Sequence, residues 1–249
     1  MKRLIVNSDD LGRVRGINTG VFEAHRGGIV TSATAMVNYE PVHEAAALSR
    51  ENPDLGIGLH VALTGGRTAR PASEVPTLVD ARGLQPAKPE GLDGARPEEI
   101  VAEVEAQFAK FVEIFGRRPT HLDSHHHSHR RPDVFAAVCA LARREGLPVR
   151  NAGGAMGAEL KALGLRTNDF FEEGFFDGGV SVGHLVEIVE ALPEGVTELM
   201  CHPAHEDAEL AASSSYARVR VIELSVLCDP EVRAAIRRCG VDLVTFAVL

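Results

Sequence analysis

The chain has 249 residues, of which 45% are hydrophobic and 24% charged, and its formal net charge is −9 at pH 7. This length accommodates one large domain with a sizeable apolar core, and the composition excludes an intrinsically disordered chain. The negative charge disfavours a nucleic-acid or anionic-membrane partner, because clustered lysines and arginines bind such partners.

Cysteine usage and the N-terminal sequence indicate the compartment. The N-terminus enters a strand-like run without the basic region, long apolar stretch and cleavage site of a secretory signal, and no apolar segment reaches membrane-spanning length. The cysteines show no CxxC spacing and do not resemble a disulfide framework. We therefore predict a cytoplasmic protein with reduced thiols at Cys139, Cys201, Cys228 and Cys239.

The first part of the chain alternates strand-like and helix-like segments. Residues 4–7 predict a strand, and the apolar spacing around Ile17 predicts a helix that ends at Gly27. The β-branched run at 29–37 predicts a second strand, and residues 55–60 predict a third, which ends in a histidine.

Helix signals are clearest in the middle of the chain. Pro97 begins a helix that Gly116 ends, and Pro132 begins another that Gly146 ends. The first of these helices carries an apolar stripe formed by Ile100, Val104, Phe108, Phe111, Val112 and Phe115. Shorter helices are predicted from Pro41 to Arg50 and near Glu159, Leu185, Val219 and Val232. Further strands are predicted at 120–125, 147–150, 166–170, 197–202 and 241–246.

The order of these elements predicts the fold class. Eight strand candidates separated by helices favour parallel pairing. We therefore predict an α/β fold, a distorted TIM-like (β/α) barrel with mostly parallel strands, as a single domain over residues 1–249. We expect an irregular barrel because several of the strands are short.

Residues 64–95 interrupt this alternation. The segment is rich in proline and glycine and is longer than a normal connection between elements. It could be a disordered linker, but it directly follows the candidate site residue His60. We therefore favour a loop that covers the substrate.

Three polar clusters follow predicted strands. They are the pair Asp9 and Asp10, the single residue His60, and the segment HLDSHHHSH at 121–129. The C-terminal ends of parallel barrel strands form one face of a barrel, where active sites lie. We therefore expect the three clusters to converge.

The histidine segment suits a metal ion. Alternate residues of an extended segment share a face, so Asp123, His125 and His127 would point together, opposite Ser124 and His126. One carboxylate and two imidazoles suit a divalent ion, most naturally zinc, and leave positions open for water and substrate.

Each cluster also has a simpler interpretation. An acidic pair after a strand is often a helix cap or a turn. A histidine tract can bind metal adventitiously. His202 ends another apolar strand and would face the same mouth, either as a catalytic group or as a polar strand end, whereas His25 and His43 are typical of helix surfaces.

The sequence around these residues resembles the YdjC-like carbohydrate deacetylases, whose members include chitooligosaccharide deacetylases. The segments that carry the resemblance are LIVNSDDLG, GIVTSATAMVN, GIGLHVALTGG, FGRRPTHLDSHHHSH and ELMCHPAHED. Ser8, Leu11 and Ala204 depart from residues common in the family, which has Ala, Phe and Gly there. The resemblance is weaker at 64–95 and 153–163.

The resemblance implies a distorted barrel and one divalent metal ion held by Asp10, His60 and His125, with zinc favoured and magnesium also compatible. His127 stays open as an alternative ligand to His125. Family members are often dimers, so a homodimer is compatible with the sequence, although no apolar stripe identifies its interface.

The expected reaction is hydrolysis of an N-acetyl group from an amino sugar or a short chitooligosaccharide, with release of acetate. Asp9, beside the ligand Asp10, would act as general base on a water, and His202, on the opposite strand, would protonate the amine that leaves. Arg166 would orient Asp9 or bind the substrate.

Two other functions stay open at this point. The first is another metal-dependent hydrolase, acting on a phosphoester or a different amide, although the sequence has no basic or glycine-rich phosphate cradle. The second is a non-catalytic, metal-dependent sugar sensor, which would need neither Asp9 nor His202.

Overall fold

The computed structural model describes all residues from Met1 to Leu249, and seven strands form one sheet that curves into a distorted half-barrel surrounded by helices. The strands are β1 (Lys2–Leu11), β2 (Ser32–Ala35), β3 (Gly56–Val61), β4 (Leu122–Ser124), β5 (Phe170–Glu172), β6 (Gly195–Cys201) and β7 (Asp242–Leu243). The helices are α1 (Arg15–Arg26), α2 (Val42–Glu51), α3 (Pro97–Phe115), α4 (Pro132–Glu145), α5 (Met156–Ala162), α6 (Val182–Ala191), α7 (Ala208–Ser213), α8 (Ala217–Leu227) and α9 (Pro230–Arg238). The predicted α/β barrel-like fold is confirmed.

All strand pairs are parallel, in the order β4-β3-β2-β1-β6-β5, with β7 beside the first residues of β1. Isolated backbone hydrogen bonds link the two edges of this sheet. They run from Leu122 to Pro148, from Val149 to Arg166 and from Asp169 to Val196. The C-terminal ends of the strands therefore surround one mouth, as expected for a parallel barrel.

Two of the predicted strands are irregular segments. Residues 147–150 make a single bridge to β4, and Pro148 has no N–H with which to continue a ladder. The strand expected at 166–170 is wrong in position, because β5 begins only at its last residue. Before that point, the side chains of Thr167 and Asn168 hydrogen-bond to the backbone of the neighbouring segment.

The predicted helices are present. α3 begins at Pro97 and α4 at Pro132, and each ends before a glycine with a left-handed backbone, Gly116 and Gly146 respectively. α7 was not predicted, and the strand expected at 241–246 is reduced to β7. None of the helices combines the length and the apolar character that crossing a bilayer requires.

β1 lies at the centre of the sheet and is buried from Leu4 to Leu11. A parallel strand in this position has helices on one side and the barrel interior on the other, so both faces are covered. Polar side chains on this strand are therefore buried as well, and they need partners.

The long segment 64–95 packs beside the barrel. Its apolar side chains join the core, and Glu103 of α3 accepts hydrogen bonds from the backbone N–H groups of Ala69 and Arg70 at 2.7 and 3.0 Å. No residue of this segment lines the large cavity described below. Thr64, at the start of the segment, contacts His126 of that cavity through Oγ1 and Nδ1 over 3.0 Å, and a cover over the substrate stays a prediction.

Gly20 lies where α1 packs closely on the chain after β6. A Cβ atom at Gly20 would lie 2.5 Å from the Cα atom of Ala204, closer than real contacts allow. We expect Gly20→Ala to lower the free energy of unfolding in urea by about 1–3 kcal/mol, the usual cost of overpacking. Gly183→Ala in α6 meets no atom within 4 Å and should be neutral or stabilising by up to about 1 kcal/mol. Wild-type stability in Gly20→Ala would contradict this close packing.

Candidate active site and metal centre

A β-bulge in β1 brings both members of the acidic pair to one cavity. Between Ser8 and Leu11, β1 advances three residues while its partner β2 advances two. Asp10 lies in this bulge with a left-handed backbone, φ 68°. The usual alternation of side chains is broken there, so Asp9 and Asp10 both line the cavity.

Asp10, His60 and His125 form a buried group whose ligand-type atoms lie within 4.8 Å of one another. Asp10 Oδ1 is 3.5 Å from His60 Nε2 and 3.0 Å from His125 Nδ1. Asp10 Oδ1 and His60 Nε2 are buried and have no hydrogen-bond partner, a costly arrangement unless a further group binds between them. One carboxylate and two imidazoles are a suitable donor set for a divalent ion.

Asp123 orients His60. The two residues are register partners in β3 and β4, and His60 Nδ1–H donates to Asp123 Oδ1 over 2.7 Å. In the neutral imidazole, Nε2 is then the nitrogen with the free lone pair, as in metal-binding histidines. Burial would lower the pKa of His60, but the carboxylates of Asp123 and Asp9 raise this pKa to about 10. The surroundings of His60 therefore favour a positive charge at Nε2, which either a proton or a metal ion bound in its place would supply.

Arg150 is the buried cation at the centre of the site. Its Nη1 and Nη2 donate to the two oxygens of Asp9 over 2.8 and 2.6 Å, Nη2 lies 3.0 Å from Asp123, and Nε donates to Glu198 over 2.7 Å. Burial would raise the pKa of Asp9, but the charge and hydrogen bonds of Arg150 hold that pKa well below its ordinary value. Asp9 is therefore ionised at neutral pH.

Glu198 on β6 is the third carboxyl group on this arginine. Its side chain is fully buried, and its Oε2 has no partner. Burial raises the pKa of Glu198 to about 8, because the opposing charge of Arg150 is already shared with Asp123 and Asp9. Glu198 therefore carries its proton through most of the neutral range.

Arginines also face the outer oxygen of Asp10. Arg220 Nη2 donates to Asp10 Oδ2, and Arg13 Nη1 lies 4.0 Å from the same oxygen. Burial would raise the pKa of Asp10, but His125 and Arg220 hold that pKa well below its ordinary value. Oδ2 is thus engaged by arginines, whereas Oδ1 faces the two histidines.

The histidine segment leaves strand geometry directly after β4. His125 begins a 3₁₀ turn, and His126 and His127 have left-handed backbones with φ 52° and 50°. His125 reaches Asp10, but His127 lies outside the ligand group, with its Nε2 3.8 Å from Glu173. The predicted alternation is therefore wrong beyond His125, since His126 also lines the cavity.

The cavity has a volume of about 650 Å³. Residues with left-handed backbone conformations cluster around it. All four non-glycine residues with positive φ line it, namely Asp10, His126, His127 and Asp177. This conformation costs an L-residue about 1–3 kcal/mol, and such residues cluster at functional sites.

His202 lies at the same mouth, directly after β6. Because β6 pairs with β1, His202 comes from the strand next to Asp9 and not from an opposite strand. Its backbone N–H donates to the buried Glu223, whose Oε1 lies 3.6 Å from His202 Nδ1. Tyr216 OH donates to the same oxygen over 2.6 Å. With Nδ1 facing Glu223, Nε2 is the nitrogen left for the cavity.

Comparison with known proteins shows the family of this chain. Residues 3–238 match the YdjC-like protein family. The chain belongs to this family. It is 42% identical to a carbohydrate deacetylase from Geobacillus stearothermophilus over 243 residues, 97% of this chain and 96% of that protein. It is 41% identical to a chitooligosaccharide deacetylase from Serratia marcescens, with 98% of each chain covered.

Solved structures share the fold of this YdjC-like protein. A crystal structure from Enterococcus faecalis V583, provisionally described as a cellobiose-phosphate cleavage protein, has a TM-score of 0.94 at 33% identity and covers 99% of this chain and 98% of that one. A family 4 carbohydrate esterase from Streptomyces lividans has a TM-score of 0.55 at 11% identity, over 97% and 91% of the two chains. The second match supports the fold alone.

Arg166 of this YdjC-like protein does not lie at the site. The expectation that Arg166 orients Asp9 or binds substrate is wrong, because its guanidinium donates to the backbone carbonyls of Leu249 and Gly146. Arg150 contacts Asp9 instead. Its position at the end of the strand candidate 147–150 was the signal in the sequence, since the other site residues also follow strands.

Glu198 should make the stability of the protein depend on pH. Its pKa is raised from 4.5 to about 8 in the folded protein, so its proton stabilises the fold fully below about pH 4.5, and this contribution is lost as the pH rises through about 8. Glu198→Gln carries a neutral group at every pH. Relative to the wild type, its free energy of unfolding should therefore increase between about pH 5 and 8, in urea titrations with chelator present.

The control is Glu206→Gln at an exposed glutamate, which should show no such trend. A constant difference between Glu198→Gln and the wild type across this range would mean that Glu198 is ionised in the folded protein.

Proposed function

We propose that this protein is a metal-dependent deacetylase that hydrolyses the N-acetyl group of amino sugars or short chitooligosaccharides and releases acetate. The observation that carries the proposal is the pair of buried, partnerless atoms Asp10 Oδ1 and His60 Nε2, which face each other at 3.5 Å beside His125. The names of the Geobacillus and Serratia relatives support a carbohydrate substrate.

The proposed metal ligands are Asp10, His60 and His125. Two imidazoles and one carboxylate favour zinc, because magnesium prefers oxygen ligands, although magnesium stays compatible with the family. Asp123 supports this assignment, since it fixes the tautomer that presents His60 Nε2. His127 is not the proposed ligand, because it lies outside the group.

Asp9 is the proposed general base. The bound ion would polarise the acetamide carbonyl and lower the pKa of a water from about 15.7 toward about 7. A carboxylate with a low pKa accepts a proton well only from such an acidified donor. The bidentate contact with Arg150 keeps Asp9 ionised and fixes its orientation in the cavity.

His202 is the proposed general acid. The amine must be protonated as the C–N bond breaks, and a histidine can supply this proton near neutral pH. Glu223 faces His202 Nδ1, which supports Nε2 as the donor toward the substrate.

The homodimer and the cytoplasmic location stay predictions from the sequence.

The metal assignment predicts two linked losses. Chelation should abolish acetate release from N-acetylated chitooligosaccharides, and zinc should restore it. His60→Ala and His125→Ala should each lower the zinc content of the purified protein severely, because each removes one of three protein ligands. Metal content would be measured by elemental analysis.

His43→Ala, at an exposed histidine of α2, is the matched control and should keep wild-type zinc content. Wild-type zinc content in both ligand variants would reject the proposed site.

The neighbouring aspartates should differ in their effects. Asp10→Asn should lower metal affinity, and part of its activity should return with excess metal. Asp9→Asn should retain the metal and reduce turnover by about 10²–10⁴-fold, the usual range for a lost general base. Metal content and kcat would be measured in parallel, with Asp54→Asn at an exposed site as control.

Loss of metal from Asp9→Asn together with retention by Asp10→Asn would reverse the two roles. Full activity and metal content in both variants would reject the hydrolase proposal.

A further inference from the structure

We propose that Phe176, supported by Tyr216, is the surface on which the apolar face of the substrate's pyranose ring packs. This inference rests on the proposed function and adds the part of the substrate that the metal and its neighbours do not recognise. It commits to a pyranoside rather than an open-chain acetamide as the substrate class.

Phe176 is an exposed aromatic residue in a cavity that is lined mostly by polar residues. Its side chain is 43% exposed and lines the same cavity as Asp9, Asp10 and His60, whereas the preceding Phe175 is fully buried in the core. The core therefore does not account for Phe176. Small-molecule sites combine aromatic surfaces with a few placed polar groups, and this cavity has that combination.

The orientation of Phe176 is fixed from its other side. Its ring stacks on Tyr216 with centroids 4.3 Å apart and planes 7° apart. Tyr216 OH accepts a hydrogen bond from the backbone N–H of Asp177 over 2.9 Å and donates to Glu223 over 2.6 Å. One face of Phe176 is thus covered by Tyr216, so a sugar ring would pack on the opposite face.

The aromatic face opposite Tyr216 suits a sugar ring with equatorial substituents. The C–H bonds of such a ring are axial, so each ring face is apolar with a slight positive charge on its hydrogens. The face of an aromatic ring is negative, so the two surfaces attract in addition to burying apolar area. An open-chain acetamide presents no such flat face.

The position of Phe176 also relates the sugar to the proposed acid. The rings of Phe176 and His202 are 5.6 Å apart and inclined at 68°. A pyranose ring on Phe176 would therefore lie next to the histidine that protonates the leaving nitrogen. Phe176 would thus act as a platform for the sugar ring and would orient its acetamide substituent between His202 and the proposed metal ligands.

The test compares substitutions at Phe176 on N,N′-diacetylchitobiose. Phe176→Ala should raise KM about tenfold or more, because it removes an aromatic stacking surface. Its kcat should change by less than about twofold, and the pH dependence of kcat should stay the same. Phe176→Tyr should behave as the wild type. Phe176→Leu should fall between the two, since it keeps apolar volume but not the aromatic face.

Phe170→Ala is the matched control. Phe170 on β5 is also 43% exposed, but it lies outside this cavity. Its removal should leave KM unchanged. The proposed role of Phe176 would be overturned by an unchanged KM in Phe176→Ala or by a wild-type KM in Phe176→Leu. It would also be overturned if Phe176→Ala lowered only kcat, because that result would indicate an effect through Tyr216 on His202.

Binding of the deacetylated disaccharide separates this inference from the proposed function. If the wild type releases no acetate from any sugar, the deacetylase proposal fails, and calorimetry with chitobiosamine then decides the platform. A Kd about tenfold weaker in Phe176→Ala but unchanged in Phe170→Ala would support it. Equal Kd values, or no binding by the wild type, would overturn it.

Discussion

The shared guanidinium of Arg150 is the interaction on which the site depends. It contacts Asp9, Asp123 and Glu198 in the barrel interior, where an uncompensated charge costs several kcal/mol. Without this cation, the carboxylates of Asp9 and Asp123 would repel each other in the barrel interior. Arg150 Nη2 lies 3.0 Å from one oxygen of Asp123, and the other oxygen accepts from His60 Nδ1–H. The charge of the arginine therefore also supports the tautomer of His60 that the proposed metal site requires.

The positions of the site residues at strand ends could be predicted from the sequence. Asp10, His60 and His202 each end an apolar run, and parallel strands bring such ends together whatever the detailed geometry. The helices could be predicted for a similar reason, since prolines and glycines such as Pro97 and Gly116 mark their ends locally. The irregular strands could not, because side-chain hydrogen bonds to the backbone replace the ladder there.

The remaining parts of the site depend on contacts that no local pattern encodes. Glu223 lies in α8, and Tyr216 immediately precedes that helix. The periodicity of the sequence therefore marks them only as helix residues. Their contact with His202 arises because α8 lies beside the residues that follow β6, where Ala204 N–H donates to the backbone carbonyl of Arg220. Two consecutive left-handed residues at His126 and His127 likewise follow no sequence rule, and alternation through this segment fails for that reason.

The bulge in β1 explains how two adjacent, identical side chains can differ in role. In a regular strand one of them would point away from the cavity, but the left-handed backbone at Asp10 turns both inward. Each carboxylate then meets a different neighbour. Arg150 donates to both oxygens of Asp9. In Asp10, Oδ2 accepts from Arg220, whereas Oδ1 faces two histidines. An oxygen already paired with a guanidinium is a poor site for a second cation, so the free Asp10 Oδ1 is the position where a metal ion would gain most.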